Sequence, residues 1–388
     1  AFSLGICEKL YSNAVEPDLH GEISNINLLF FFILLSIYTQ ILCINIAIIK
    51  EIMLEYLKLM RPFSGTLTSL MPVMGALAEK QLNLTILVAF FFLGFFSHAY
   101  GFVLNDIIDY NIDKHSKELK NRPLLSGTIS IKQAWTFTIT SLIIAYMIVI
   151  YFAFTTNKYE PILIYTIFVA LATIYDLYSK KVPAMDVFVT TAIFFLIIYG
   201  ATTVTGSITK ISSITWVIAA VGTIQVLYMQ FITGGLKDAE NDYKQEGRTL
   251  ALFMGVKVKN KILTIPKSFK ILAYSLQFID VFLAFLPFLI FAEFQKTLQI
   301  LKYSQLILLS IISITLLVLS HNLLSMKKPN RSKARKLIGS HYVINYGLMS
   351  IILMTFNPYI GIIALIPPLA FLMWNKILFG TILEPKTM

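Results

Sequence analysis

The chain has 388 residues, 57% of them hydrophobic and 14% charged, with a formal net charge of +11. Soluble domains carry about 25% charged residues, so this composition argues against a water-soluble globular fold. Cys7 and Cys43 make neither a disulfide framework nor a zinc-ligand spacing. The histidines form no HExxH pattern. Positive charge on so apolar a chain reads as basic loops at a membrane surface rather than as a nucleic-acid surface.

A membrane-crossing helix needs about 20 mostly apolar residues. In chain order, such runs fall near 27–49, 56–79, 82–104, 132–154, 159–177, 184–205, 212–236, 269–293, 303–325, 341–356 and 358–379. Asn357-Pro358 interrupts the last two, which would then be one broken helix. The fold class is all-α, a polytopic transmembrane helical bundle. Residues 1–52 read as an N-terminal extension whose 27–49 run is an added span, an uncleaved signal-anchor or an extension that arose from start-site choice. That run is longer than a signal peptide's apolar region, and no A-x-A site follows it. Met53 opens the second unit, 53–388.

Four polar stretches separate the runs unevenly. Counted with their flanks, 105–131, 178–183, 237–268 and 326–340 hold 21 Lys and Arg residues. The other loops hold five: Lys80, Lys158, Lys210, Lys296 and Lys302. This bias predicts that all four basic loops face the cytoplasm.

Seven of the 21 acidic residues crowd into two segments beside spans. Asn105-Asp106-Ile-Ile-Asp109-Tyr-Asn-Ile-Asp113 places three carboxylates within about 60° of one another on a helix. In Lys237-Asp238-Ala-Glu240-Asn-Asp242-Tyr-Lys-Gln-Glu246, the two aspartates are i,i+4 and share a face. Like charges so close repel unless a cation lies between them. Carboxylate and amide oxygens are hard ligands that suit Mg²⁺ or Ca²⁺ rather than zinc. Because Mg²⁺ prefers one or two carboxylates completed by phosphates and water, the two clusters predict a site for Mg²⁺ and a polyphosphate. Four helices lie between them, and an even number returns the chain to the same membrane face. Arg122, Lys180, Lys181, Lys237 and Arg248 lie near the clusters and would complete neutralisation of phosphate charge. The run Lys327 to Lys336 reads as charge facing lipid headgroups. Gly234-Gly235 reads as close helix packing. His98 and Tyr100 either line a cavity or pack.

These residues match known motifs. The run NDIIDYNIDKHSKELKNRPLLSGTIS, 105–130, resembles the first signature of the UbiA superfamily of intramembrane prenyltransferases, N-D-x-x-D-x-x-x-D followed by R-P-L-x-S-G-x-I-S. The run KDAENDYKQEGRTLALFMG, 237–255, resembles the second, and YLKLMRPFS, 56–64, is similar to the family's first helix. The resemblance spans roughly 53–356 and implies about nine core helices plus extra terminal ones. The family's Tyr-x-x-x-Lys element is imperfect here. Tyr175 stands five residues before Lys180, and Tyr178 three before Lys181, so either lysine is a candidate for the diphosphate.

The resemblance implies Mg²⁺-dependent transfer of an isoprenyl chain from a prenyl diphosphate, geranylgeranyl diphosphate as the first expectation. Asn105, Asp106, Asp109 and Asp113 would hold one Mg²⁺, and Asp238 and Asp242 the other. Asp109, Asp113 and Asp238 would be catalytic, Asp113 as a base for the acceptor's proton. Asn105, Arg122, Lys180, Lys181, Lys237 and Arg248 would bind substrate. Partners are the prenyl diphosphate, a small lipid or aromatic acceptor and membrane lipid, with no nucleic acid. The second signature resembles that of digeranylgeranylglyceryl phosphate synthases, which favours a glycerol phosphate ether-lipid precursor as acceptor. The nine-residue step from Asp113 to Arg122 resembles enzymes with aromatic or porphyrin acceptors. A secondary transporter is the reading of another class, since intramembrane acids also line ion pathways. Acids at helix ends and the absence of a visible inverted repeat favour the enzyme.

Overall fold

The computed structural model describes residues 51–114, 119–244, 249–260 and 262–382. The chain divides into two units, Ala1–Leu54 and Glu55–Met388. The expected run at 27–49 lies outside the described residues. Everything below concerns the second unit.

In chain order its helices are α1 (Pro62–Ala78), α2 (Leu84–Ile108), α3 (Tyr110–Asp113), α4 (Pro123–Ser126), α5 (Ile131–Thr156), α6 (Glu160–Tyr178), α7 (Asp186–Thr205) and α8 (Ser213–Tyr228). A π-helical turn, Met229–Gly234, leads into α9 (Gly235–Lys244) and α10 (Leu250–Phe253). Then come a small antiparallel hairpin, β1 (Lys257–Lys259) with β2 (Ile262–Thr264), and α11 (Lys267–Ile290), α12 (Ala292–Gln295), α13 (Gln299–Leu324), α14 (Arg331–Asn345), α15 (Gly347–Leu353) and α16 (Ile366–Phe379).

Eight helical segments among the described residues are long and apolar enough to cross a membrane: 84–108, 131–156, 160–178, 186–205, 213–240, 267–290, 299–324 and 358–379. The protein is an integral, multi-pass membrane protein. The expectation of eleven runs is corrected in two places. The 56–79 run breaks at Arg61, because a residue before proline is pushed out of the α region. Arg61 has φ 52° and ψ 67°, and α1 starts afterwards with 17 residues. The 341–356 run divides at Tyr346 into the end of α14 and the short α15. At the Asn357-Pro358 break, the Asn357 side chain accepts from the Tyr359 amide at 3.0 Å. The chain then continues as a 3₁₀ turn, Pro358–Leu365, into α16.

Lipid replaces water as the outer solvent. α5 exposes Ile139, Ile143, Met147 and Phe154, and α13 exposes Ile307, Ile311, Ile314 and Val318. In water such stripes would mark an interface; around a bundle with every helix bond made internally they mark the lipid side. α1 is the inner helix, with every residue buried except Thr68. It crosses α7 closely: a Cβ on Gly75 would stand 1.9 Å from the Ile197 carbonyl oxygen, and one on Gly200 1.9 Å from that of Pro72. Only glycine permits backbones so near, as at small-residue contacts in membranes.

The basic loops gather at one end of the bundle. Lys180 reaches Asp113, joining 178–183 to 105–131. The Leu263 amide donates to the Lys327 carbonyl at 3.0 Å, joining 237–268 to 326–340.

Candidate active site

The C-terminal end of α2 carries the first acidic cluster. Asp109 closes that helix, yet its amide still donates to the Asn105 carbonyl and the Asp113 amide to the Asp109 carbonyl, both at 2.9 Å. The helical path therefore continues through α3 and keeps Asp106, Asp109 and Asp113 on neighbouring faces. Three cations hold them. Arg61 donates from Nη2 to Asp106 Oδ1 at 2.6 Å. Arg122 donates from Nη1 to Asp113 Oδ2 at 2.8 Å and to Asp106 Oδ1 at 3.4 Å. Lys180 Nζ lies 2.9 Å from Asp109 Oδ2 and 2.8 Å from Asp113 Oδ1.

Three carboxylates meet three cations, but burial acts on them unequally. Burial lifts the Asp109 carboxyl above its ordinary range even though Lys180 opposes the shift. For Lys180, burial pulls downward, but attraction to Asp109 and Asp113 outweighs it and holds the ammonium above its usual value. The pair thus sits in a site where an added positive charge beside Asp109 is favourable.

The second cluster comes from α9. The π-helical turn before it inserts an extra residue in the helical ladder, a feature frequent at functional sites. Thr233 in that turn lies 2.7 Å from the Tyr342 hydroxyl of α14. Lys237 Nζ lies 3.3 Å from Asp238 Oδ2.

Both clusters line one cavity of about 300 Å³. Asn105, Asp109 and Asp113 are on its wall, with Arg122 and Lys180; so are Lys237, Asp238 and Asp242. Its apolar part is lined by Phe63, Phe102, Phe168, Val189 and Ile193. The cavity therefore joins a charged rim to a hydrocarbon-like interior. The Arg122 Nε is buried without a hydrogen-bond partner, a donor left over for an anion.

Oxygen donors on two facing elements fit Mg²⁺. Among the described residues no three of Asp, Glu, His and Cys are drawn together as a ready cage. Mg²⁺ needs no such cage when phosphate oxygens and waters fill most of its shell. Asn105, Asp109 and Asp113 on one side, Asp238 and Asp242 on the other, are the residues that would hold it.

Several sequence expectations change. Asp106, taken as a metal ligand, does not line the cavity; it is buried behind the wall and ties Arg61 to Arg122. Lys181 points away, with Nζ 5.3 Å from the Tyr178 ring centre, and Lys180 takes the cavity position. Arg248 lies outside the described residues. His98 lines the cavity but is fixed from both ring nitrogens, by Thr68 Oγ1 and the Met60 carbonyl, each at 3.0 Å. Tyr100 instead bonds Thr173 at 2.6 Å.

Two cavity residues escaped the sequence reading. Arg61 sits under the Phe102 ring at 5.3 Å; a basic residue interrupting an apolar run before a proline was its signal. Asp176 is buried with Oδ2 unpartnered. Its signal was an acid inside an expected span.

Residues 66–344 match the UbiA prenyltransferase family. A 4-hydroxybenzoate octaprenyltransferase of Shewanella woodyi is 35% identical over 103 residues, 26% of this chain and 36% of that protein. A digeranylgeranylglyceryl phosphate synthase of Methanocaldococcus jannaschii is 35% identical over 99 residues, 25% of this chain and 34% of that one. These matches span about a third of the curated relatives' length. The structure of a UbiA homolog from Archaeoglobus fulgidus bound to GPP and Mg²⁺ superposes with a TM-score of 0.54 at 17% identity, over 78% of this chain and 99% of that one. At this identity the likeness concerns the fold.

Proposed function

The chain belongs to the UbiA prenyltransferase family, and we propose that it transfers an isoprenyl chain from a prenyl diphosphate to an acceptor in a Mg²⁺-dependent reaction, with residues 53–388 as the catalytic unit. The observation that carries this reading is the single cavity whose rim holds both aspartate clusters and whose interior is apolar. The isoprenoid tail suits the Phe63, Phe102 and Phe168 side; the diphosphate suits the rim.

Bound Mg²⁺ would stabilise the negative charge that develops on the departing diphosphate. The protein's own groups do the rest. Asn105, Asp109, Asp238 and Asp242 would hold the metal, which would in turn carry the diphosphate. Arg122 and Lys180 offer donors to the phosphate oxygens, and Lys237 adds charge from the second side. As the allylic C–O bond opens, the apolar walls keep water from the cationic carbon until the acceptor attacks. Asp113 would either join the metal-holding set or take the acceptor's proton; its ion pairs with Arg122 and Lys180 support it in the rim.

For the acceptor we take a glycerol phosphate ether-lipid precursor first and an aromatic ring second; relatives named for each are 35% identical over 25% and 26% of this chain. Membranes containing the protein should release diphosphate from radiolabelled geranylgeranyl diphosphate only with Mg²⁺, and an acceptor screen should yield one labelled product. Absence of Mg²⁺-dependent diphosphate release would remove the reading.

Arg122→Ala should raise KM for the prenyl diphosphate about 10-fold or more, the worth of a hydrogen bond to a charged group. Extra Mg²⁺ should restore little of it, since a phosphate contact rather than a metal ligand is lost. Steady-state kinetics at two Mg²⁺ concentrations checks both parts.

We also propose that the end bearing the four basic loops faces the cytoplasm, from their charge excess. With Cys7 and Cys43 replaced by serine, a cysteine at Lys327 should react with an impermeant maleimide only after cells are opened. A cysteine at Lys296 should react in intact cells. The reverse pattern would invert the orientation.

A further inference from the structure

A second group of polar side chains lies inside the bundle, apart from the cavity. α8, α11 and α14 each bring two polar residues, three or four apart and so on one face, into the core: Gln225 and Tyr228, Gln277 and Asp280, His341 and Asn345. None is more than 4% exposed.

Half of the group is closed on itself. The Tyr228 hydroxyl donates to Ser320 of α13 at 2.8 Å, and Ser320 donates to Gln277 Oε1 at 3.1 Å. His341 Nε2 lies 3.0 Å from the same oxygen, and its ring stacks on Tyr228 at 4.7 Å. These contacts fix the Gln277 amide.

The other half is open. Gln225 Nε2 donates to the Asn345 carbonyl at 2.9 Å, which fixes that amide and leaves Gln225 Oε1 without a partner. The Gln225 and Asn345 amides face the Asp280 carboxyl as weak donors, but neither Asp280 oxygen has a partner within full hydrogen-bond geometry, nor does Asn345 Oδ1. Four buried oxygens lack donors, against one buried nitrogen, Gln277 Nε2, that lacks an acceptor. An intramembrane carboxylate without a counter-charge is strongly disfavoured. A water brings two donors and closes this excess of acceptors only in part. A cation is ligated by oxygens alone. One carboxylate balances one positive charge, and neutral amide oxygens complete a hard ligand set.

We propose that Asp280, Gln225 and Asn345 form a site for a monovalent alkali cation such as Na⁺, buried between α8, α11 and α14. The site is separate from the aspartate clusters and does not depend on the prenyl-transfer reading. It bears on the cavity through one helix. Tyr342, one turn before Asn345, lines the cavity and bonds Thr233 in the π-helical turn that leads to Asp238. An occupied site would hold α14 against α8 and so position the second cluster.

The test is ²²Na⁺ binding to the purified full chain in detergent, with saturating Mg²⁺ present and choline chloride holding the ionic strength. Binding should be saturable, displaced by NaCl and not by choline, and Tm should rise by several degrees in NaCl over choline chloride. Asp280→Asn should lower Na⁺ affinity at least about 10-fold, with equal Tm in the two salts. Should that variant fail to fold, Gln225→Met removes one ligand oxygen and should weaken binding in the same direction. No saturable ²²Na⁺ with equal Tm in both salts would overturn the proposal, leaving a proton or water at Asp280. Undiminished binding in a folded variant would place the cation elsewhere and overturn it as well.

Discussion

Asp109→Asn and Asp238→Asn should each lower prenyl transfer by at least about 10²-fold, as loss of a group that stabilises developing charge does. Each exchange removes one negative charge and nearly preserves shape. The two residues stand on different helices, at the end of α2 and on α9, and line the same cavity. Asp109→Asn leaves Lys180 paired with Asp113, so the cluster should keep its form and the protein its Tm. The lost function is then charge at the metal position, and raised Mg²⁺ should recover part of it by mass action. The exposed Lys296, in a sparsely charged loop, serves as control: Lys296→Gln should be near neutral. Product formation over a Mg²⁺ series measures all three. Wild-type turnover in both aspartate variants would end the metal reading and leave transport or a binding role as the better account.

Sequence legibility followed the physics of each feature. Apolar runs of span length announce themselves because lipid demands them, and eight emerged as long helices. The runs that changed did so at backbone features, Pro62 after Arg61 and the turn at Tyr346, which hydropathy does not weigh. The acidic clusters were legible because like charges at helical spacing require compensation. Sequence spacing left the source of that compensation open. A metal was the natural candidate, and the structure adds Arg61, 45 residues upstream of Asp106. Such a partner is visible only once α1 and α2 pack. Likewise Lys180 and Lys181 are equivalent by spacing, and the end of α6 turns only Lys180 toward Asp109. The polar group around Asp280 was invisible for a related reason. Gln225, Asp280 and Asn345 come from three segments far apart in sequence, and only the packing of α8, α11 and α14 brings them into one group.

The reassignment of Asp106 has the largest expected effect on stability. Its side chain is 6% exposed and accepts from Arg61, 15% exposed, and Arg122, 17% exposed. Removing one partner of a buried ion pair strands the other charge, at about 3–5 kcal/mol. Asp106→Ala should therefore lower the unfolding free energy by about 3 kcal/mol, softened because Arg122 keeps Asp113. Asp106→Asn retains an acceptor oxygen and should cost less. Both variants should lose activity through displaced guanidiniums, since Arg61 and Arg122 line the cavity. In neither should Mg²⁺ restore turnover, because Asp106 is not among the residues lining the cavity. Thermal unfolding in detergent, read beside activity over a Mg²⁺ series, separates the two roles. A residue that anchors arginines shifts Tm and ignores Mg²⁺, whereas a metal ligand leaves Tm in place and responds to it. Asp106→Asn with wild-type Tm and Mg²⁺-restored turnover would return Asp106 to the ligand set and make the buried contact with Arg61 incidental.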